Sequence, residues 1–188
     1  MNPSMPYEKM PFNSMWRMPA HIRETDDPAH RLWDSPSLIA GFFPVYLPDI
    51  GAATEVWLTD GSRLVLNISV QTMLHRLADA RMINLRVLKK RLQNILQMGY
   101  FVPLPLATDI VLMPLKTRNT LVRGDSVHGF VNVCALEQLK ITEGTKGSTP
   151  GLPLTCGRLF PCLTSQKTVN QRIQRAHLSA VLVQQFSI

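Results

Sequence analysis

Cysteine is scarce in this chain, and the few present do not pair. Cys134, Cys156 and Cys162 are an odd number with no Cys-x-x-Cys spacing. That pattern argues against a disulfide framework and a structural zinc site, and fits a reducing compartment. Long apolar runs are missing too. The two most apolar stretches are cut by Pro44, Pro48 and Asp49, and by Pro103, Pro105 and Asp109. Neither can form the ~20 apolar residues of an ordinary membrane-spanning helix. The first residues, Met1 to Lys9, lack a basic start followed by an apolar core, so no signal peptide is expected. These absences predict a cytoplasmic protein with no membrane partner.

Carboxylates are scarce in one part only. Residues 1–80 hold 6 Lys or Arg and 9 Asp or Glu, whereas residues 81–188 hold 14 and 4, so the net charge of +7 divides into −3 and +10. A positive excess confined to one part of a chain is the electrostatic footprint of a surface that meets a polyanion, most often nucleic acid. With 188 residues and 45% apolar content, the chain can bury a core over most of its length.

What is present begins with a repeat. Leu58-Thr59-Asp60-Gly61 and Leu154-Thr155-Cys156-Gly157 stand 96 residues apart, and seven identities fall between Leu58 and Ala80 at that offset, including Ser69 with Ser165, Thr72 with Thr168 and Arg76 with Arg172. Each copy reads as strand, turn, strand and helix. Asp60-Gly61 accepts the positive backbone angles of a tight turn, and Ser69 and Ser165 stand where helix N-caps are wanted. Between the copies, Asn84 is placed to cap a second helix running to about Met98, stopped by Gly99, with Leu85, Leu88, Leu92, Ile95 and Leu96 on one face. Ile110 to Pro114 and Phe130 to Val133 read as strands, the first closing at its proline. Residues 1–36, with five methionines and six prolines, read as a mobile N-terminal arm with Trp16 and Trp33 as its candidate anchors. Residues 37–188 then form one domain of two related halves. The fold class is α+β, with short antiparallel strands, two or three helices and an internal strand-strand-helix repeat. Leu66, Leu74, Leu88, Leu92, Val111, Val131, Val169 and Ile173 are expected in its core.

No catalytic constellation emerges. Asp125, Ser126 and His128 crowd into one turn, where close neighbours rarely converge as a triad. Gly144-Thr145-Lys146-Gly147-Ser148 lacks the residue order of a phosphate-binding loop. Cys156 and Cys162 lack chelate spacing, and Cys162 aligns with core Leu66, so it reads as a buried free thiol. Neither enzymatic activity nor a cofactor or metal is expected.

Residues 85–178 resemble the competence transcription factor family, the ComK-type regulators of DNA uptake in Gram-positive bacteria. The resemblance lies in the strand ending Met113-Pro114 with its continuation Leu115-Lys116-Thr117, the strand Phe130-Val131-Asn132-Val133, the turn at Gly157, and a closing helix with Thr164, Asn170-Gln171, Ala176 and Leu178. The repeat is also faintly similar to LytTR-type DNA-binding domains. The resemblance implies a transcriptional activator of competence genes that binds double-stranded DNA at AT-rich promoter boxes as a dimer or paired dimers, with RNA polymerase as a further partner, among the nucleoid of a bacterial cytoplasm. On physical grounds the DNA contacts are Arg86, Lys89, Lys90, Lys116, Arg118, Arg123, Lys167, Arg172 and Arg175. Arg118 and Arg123, in loops, are expected to read a narrow groove, while helix cations hold the backbone. The alternatives are a protein-interaction module derived from the same fold and, less in keeping with the few aromatics of the basic segments, an RNA-binding protein.

Overall fold

The computed structural model describes residues 32–47, 51–120, 124–137, 141 and 150–186. Six strands build one antiparallel sheet: β1 (Ile39–Leu47), β2 (Gly51–Leu58), β3 (Arg63–Leu66), β4 (Leu104–Ala107), β5 (Ile110–Lys116) and β6 (His128–Asn132), in the spatial order β3-β2-β1-β6-β5-β4. The sheet is thus two three-stranded meanders joined along β1 and β6. A separate hairpin pairs β7 (Gly151–Pro153) with β8 (Leu159–Pro161). Helices α1 (Val70–Ala80) and α2 (Leu85–Leu96) follow the first meander, and α3 (Gln166–Phe186) follows the hairpin. This is the α+β class that the sequence implies.

Both sheet faces are buried. Ile39, Phe42, Val56, Leu104, Ile110, Leu112 and Phe130 pack with Met73, Leu74 and Leu77 of α1 and Leu85, Leu88 and Leu92 of α2. Their neighbours along the strands, Ala40, Phe43, Val111, Met113 and Val131, point the other way and pack with Leu152 and Phe160 of the hairpin and Val169, Ile173 and Ala176 of α3. Period-two alternation sends successive side chains to opposite faces. A strand covered on both sides therefore reads as an unbroken apolar run, as β5 does. Seven of the eight expected core residues are buried, and Leu66 packs half-buried against the first cluster. Leu32 enters that cluster as well, and Trp33 lies against it with the Arg76 guanidinium 5.7 Å from its ring centre. Trp16 lies outside the described residues.

The two copies of the repeat adopt one local structure. Leu58 N–H donates to Ser62 O at 2.9 Å and Gly61 N–H to Leu58 O at 3.0 Å; Leu154 N–H donates to Arg158 O and Gly157 N–H to Leu154 O, both at 2.8 Å. Gly61 and Gly157 take φ of 85° and 77°, the left-handed region glycine enters without penalty. Ser69 Oγ accepts from Thr72 N–H at 3.1 Å and Ser165 Oγ from Thr168 N–H at 3.4 Å, so each hydroxyl satisfies an otherwise orphaned donor of the first helical turn. Both copies lie in one chain, their helices on opposite faces of the sheet. Their turns touch, because Arg158 Nε donates to Gly61 O at 2.6 Å and its guanidinium sits 5.5 Å from the Trp57 ring centre.

Two boundaries differ from expectation. Helix α2 ends at Leu96 and is capped by Gln97, which takes the left-handed conformation (φ 50°) itself, two residues before Gly99. Strand β5 runs through Pro114 to Lys116. The proline is accommodated because β4 pairs only with Ile110 to Leu112. The N–H and C=O of a strand residue project to the same side, and the Pro114 carbonyl accepts from Arg172 Nη1 at 2.5 Å. The ring therefore faces the side that β4 has already left, where no ladder donor is required.

The seam between the meanders is held by Asn132, buried at the end of β6. Its Oδ1 accepts from Val111 N–H at 3.1 Å and Cys134 N–H at 3.2 Å, while Nδ2 donates to Ile39 O at 3.2 Å and Asp109 O at 3.0 Å. Gly129 permits the close approach, since a methyl there would lie 2.6 Å from Phe43 Cβ and 2.7 Å from Phe42 O. Replacing Asn132 by leucine keeps the volume but strands several buried backbone groups. The expected cost is about 2–4 kcal/mol in urea-induced unfolding, against about 1 kcal/mol for Ser69→Ala at an exposed cap.

Candidate nucleic-acid interface

On α2 the buried stripe of Leu85, Leu88 and Leu92 decides where the cations go. At 100° per residue, Arg86, Lys89 and Lys90 fall on one flank of that stripe and Arg91 on the other. Arg86 and Lys90 are exposed, and Lys89 is half-buried, its ammonium pushed below the usual lysine range by burial. Asn84 starts the helix by accepting Val87 N–H on Oδ1 at 3.1 Å. Gln93 then ties the following loop to it, Nε2 donating to Gly99 O at 3.1 Å.

That loop delivers two aromatics to the basic flank. Phe101 lies with its ring centre 4.4 Å from that of His128, tilted by 32°, and the Arg172 guanidinium stands 5.1 Å from the Phe101 ring centre. Lys89, Tyr100, Phe101, Pro114, Ser126 and His128 are among the residues lining a depression of about 410 Å³ beside edge strand β4. Burial lowers the His128 pKa, and the positive charges of Arg172 and Lys116 lower it further. Arg172, half-buried and next to Arg175, is pushed down by burial and by that neighbour, an opposing contribution coming from Cys162. The structure thus brings Lys89, Lys116, Arg172 and Arg175 to one end of the sheet, continuous with Arg86 and Lys90. Among the described residues, no carboxylate forms a salt bridge with any of these six.

The other predicted contacts lie elsewhere. Lys167 is exposed on α3, but the helical rotation puts it well away from the flank that carries Arg172 and Arg175. Arg123 lies outside the described residues, as do residues 142–149 with their Lys146. Arg118 does not reach outward as a loop arginine was expected to. Its side chain is 17% exposed, with Nη2 3.0 Å from Asp125 Oδ2 and Nε donating to Ser126 O at 3.1 Å. The guanidinium ties residue 118 to Asp125 and Ser126, which revises its role from groove reader to scaffold. Asp125 is thereby engaged with Arg118, and His128 stacks on Phe101. Cys162 is buried, its thiol pushed up by burial.

Sequence reasoning passed over Tyr100 and Phe101, which fall between a helix and a proline-rich strand and show no periodicity. The available signal was two adjacent aromatics in a connecting segment, where apolar side chains have no core to enter. Compared with protein-family models, with curated proteins and with solved structures, the chain matches none.

Two consequences are measurable. His128 has a folded pKa below its unfolded value of about 6.5. The unfolded chain therefore binds the proton first, and the contribution of this residue to stability is present above that value and is lost as pH falls from about 6.5 to the folded pKa. Thermal midpoints at pH 7 and pH 5 should differ less in His128→Gln than in the parent; an unchanged difference would assign the acid loss to other groups. Arg118→Ala should cost about 2 kcal/mol of unfolding free energy, the scale of a hydrogen bond from a charged group together with a close ion pair to a buried carboxylate. A stability within error of the parent would return Arg118 to the list of free surface cations.

Proposed function

We propose that this chain is a DNA-binding transcriptional regulator of the competence type, acting without chemistry of its own by holding AT-rich promoter DNA. The observation that carries the reading is the continuous set Arg86, Lys89, Lys90, Lys116, Arg172 and Arg175, cations with no salt-bridged carboxylate among the described residues. Surface charges kept for solubility are interspersed with the opposite sign. An uncompensated stripe that spans two helices and a strand end instead matches a phosphate backbone, where each neutralised phosphate releases counterions. Arg86 and Lys90 take backbone phosphates, Arg172 and Arg175 extend the contact across the β4 edge, and Arg123 keeps its assignment to the groove. Dimers on paired boxes, contact with RNA polymerase and a nucleoid location belong to the same proposal.

A protein-interaction module is the second reading, favoured by Leu178 and Val181, which stand 50% and 47% exposed on the outer side of α3. Titrating AT-rich and GC-rich duplexes at several salt concentrations separates the two. A regulator binds the AT-rich duplex more tightly and loses affinity steeply with salt. Lys90→Ala should weaken both duplexes alike and reduce the salt slope by about one. Weak binding indifferent to salt and to sequence would leave the interaction module standing.

A further inference from the structure

Tyr100 is 92% exposed, although it follows a pinned residue and precedes an anchored one. Gly99 is held to α2 by Gln93, and Phe101 by His128 and Arg172. A large aromatic ring left in water on a loop fixed at both sides has lost much of its freedom without gaining burial. The rigid setting lowers the entropy that a partner must remove on binding. The surroundings state what that partner is. The ring stands at the mouth of the 410 Å³ depression, whose floor is apolar through Val102, Leu104 and Phe130. Lys89 lines it, and Lys116 and Arg172 bear on its His128. Asp125, the carboxylate in the lining, is paired with Arg118. A flat apolar ligand that carries negative charge fits this combination of stacking face, slot and cations.

We infer that the Tyr100 loop is a stacking site for one unpaired nucleobase of a single-stranded or locally opened nucleic acid, the base lying on the Tyr100 ring at the mouth of the depression and the adjoining phosphate meeting Lys89 and Lys116. This rests on the nucleic-acid reading of the same surface and adds a preference for unpaired bases that duplex binding alone does not require. Base-on-aromatic stacking tolerates any sequence because every base has a π face. The site therefore recognises strand opening rather than a base pair. In a regulator it would favour DNA melted or kinked next to the bound box.

The test uses the full chain and three DNA probes of one sequence carrying a single 2-aminopurine: a single strand, a perfect duplex, and a duplex with the 2-aminopurine in a one-base bulge. The parent protein should quench 2-aminopurine fluorescence in the single strand and the bulge, and should bind the bulged duplex roughly tenfold more tightly than the perfect one, within the range of one stacked base. Tyr100→Phe should retain that preference, since the ring remains. Tyr100→Ala should abolish the quenching and bring the bulged and perfect duplexes to the same affinity; as the side chain is exposed, its thermal midpoint should match the parent. Equal affinity for bulged and perfect duplex, or quenching that survives Tyr100→Ala, overturns the stacking site and leaves the duplex regulator intact. Failure to bind all three probes overturns both readings together.

Discussion

Four hydrogen bonds meet on the carboxamide of Asn132, and through them the end of β6 holds β1, the β4–β5 turn, β5 and the short helical turn that follows. The main-chain pairing at this seam is brief, with register only from Gly41 to Val131 and from Phe42 to Phe130. A buried amide that satisfies four backbone groups supplies what the short ladder does not, and glycine at 129 allows the strands to come close enough for it. Everything outward of the seam inherits its position. The first meander carries α1 and α2 on one face, and the second gives α3 a surface on the other. Were the seam to slip by one residue, every strand side chain beyond it would change face.

That placement makes the basic surface. Helices α2 and α3 belong to different parts of the chain and to opposite layers, yet both reach the β4 edge, and their cations meet around Phe101. Arg172 links the two requirements. Its guanidinium closes the open side of β5 at the Pro114 carbonyl and also covers the Phe101 ring. Burial lowers the pKa of His128, and the charge so fixed lowers it further, beside the Phe101 ring on which the imidazole rests. Structural and electrostatic roles coincide there because the strand ends where the site begins.

Much of the local structure was legible. The doubled Leu-Thr-x-Gly turns, the Ser69, Asn84 and Ser165 caps and the leucine stripe of α2 are properties of short segments, set by backbone sterics, capping hydrogen bonds and helical periodicity. The stop of α2 was misplaced by two residues because Gln97 took a conformation in which glycine is the default expectation. The run of β5 past Pro114 was hidden because it depends on where a neighbouring strand ends. Within the site, the cations of α2 stood out as a dense cluster, whereas the fate of Arg118 turned on Asp125 in the facing loop.

By itself, then, the sequence determined the α+β class, the repeated turn-strand-helix unit, the core stripe and the excess of positive charge after residue 80. Those follow from composition and near-neighbour spacing, which act through contacts a few residues long. Only the tertiary structure decided that the copies pack on opposite faces of one sheet and that Arg118 is tied to Asp125 and Ser126. It also decided that Lys89, Lys116 and Arg172 gather around Tyr100 and Phe101. Each of these depends on which strands become neighbours across a gap of many tens of residues. That choice is made by the fit of buried side chains and the satisfaction of buried polar groups, which no local pattern records.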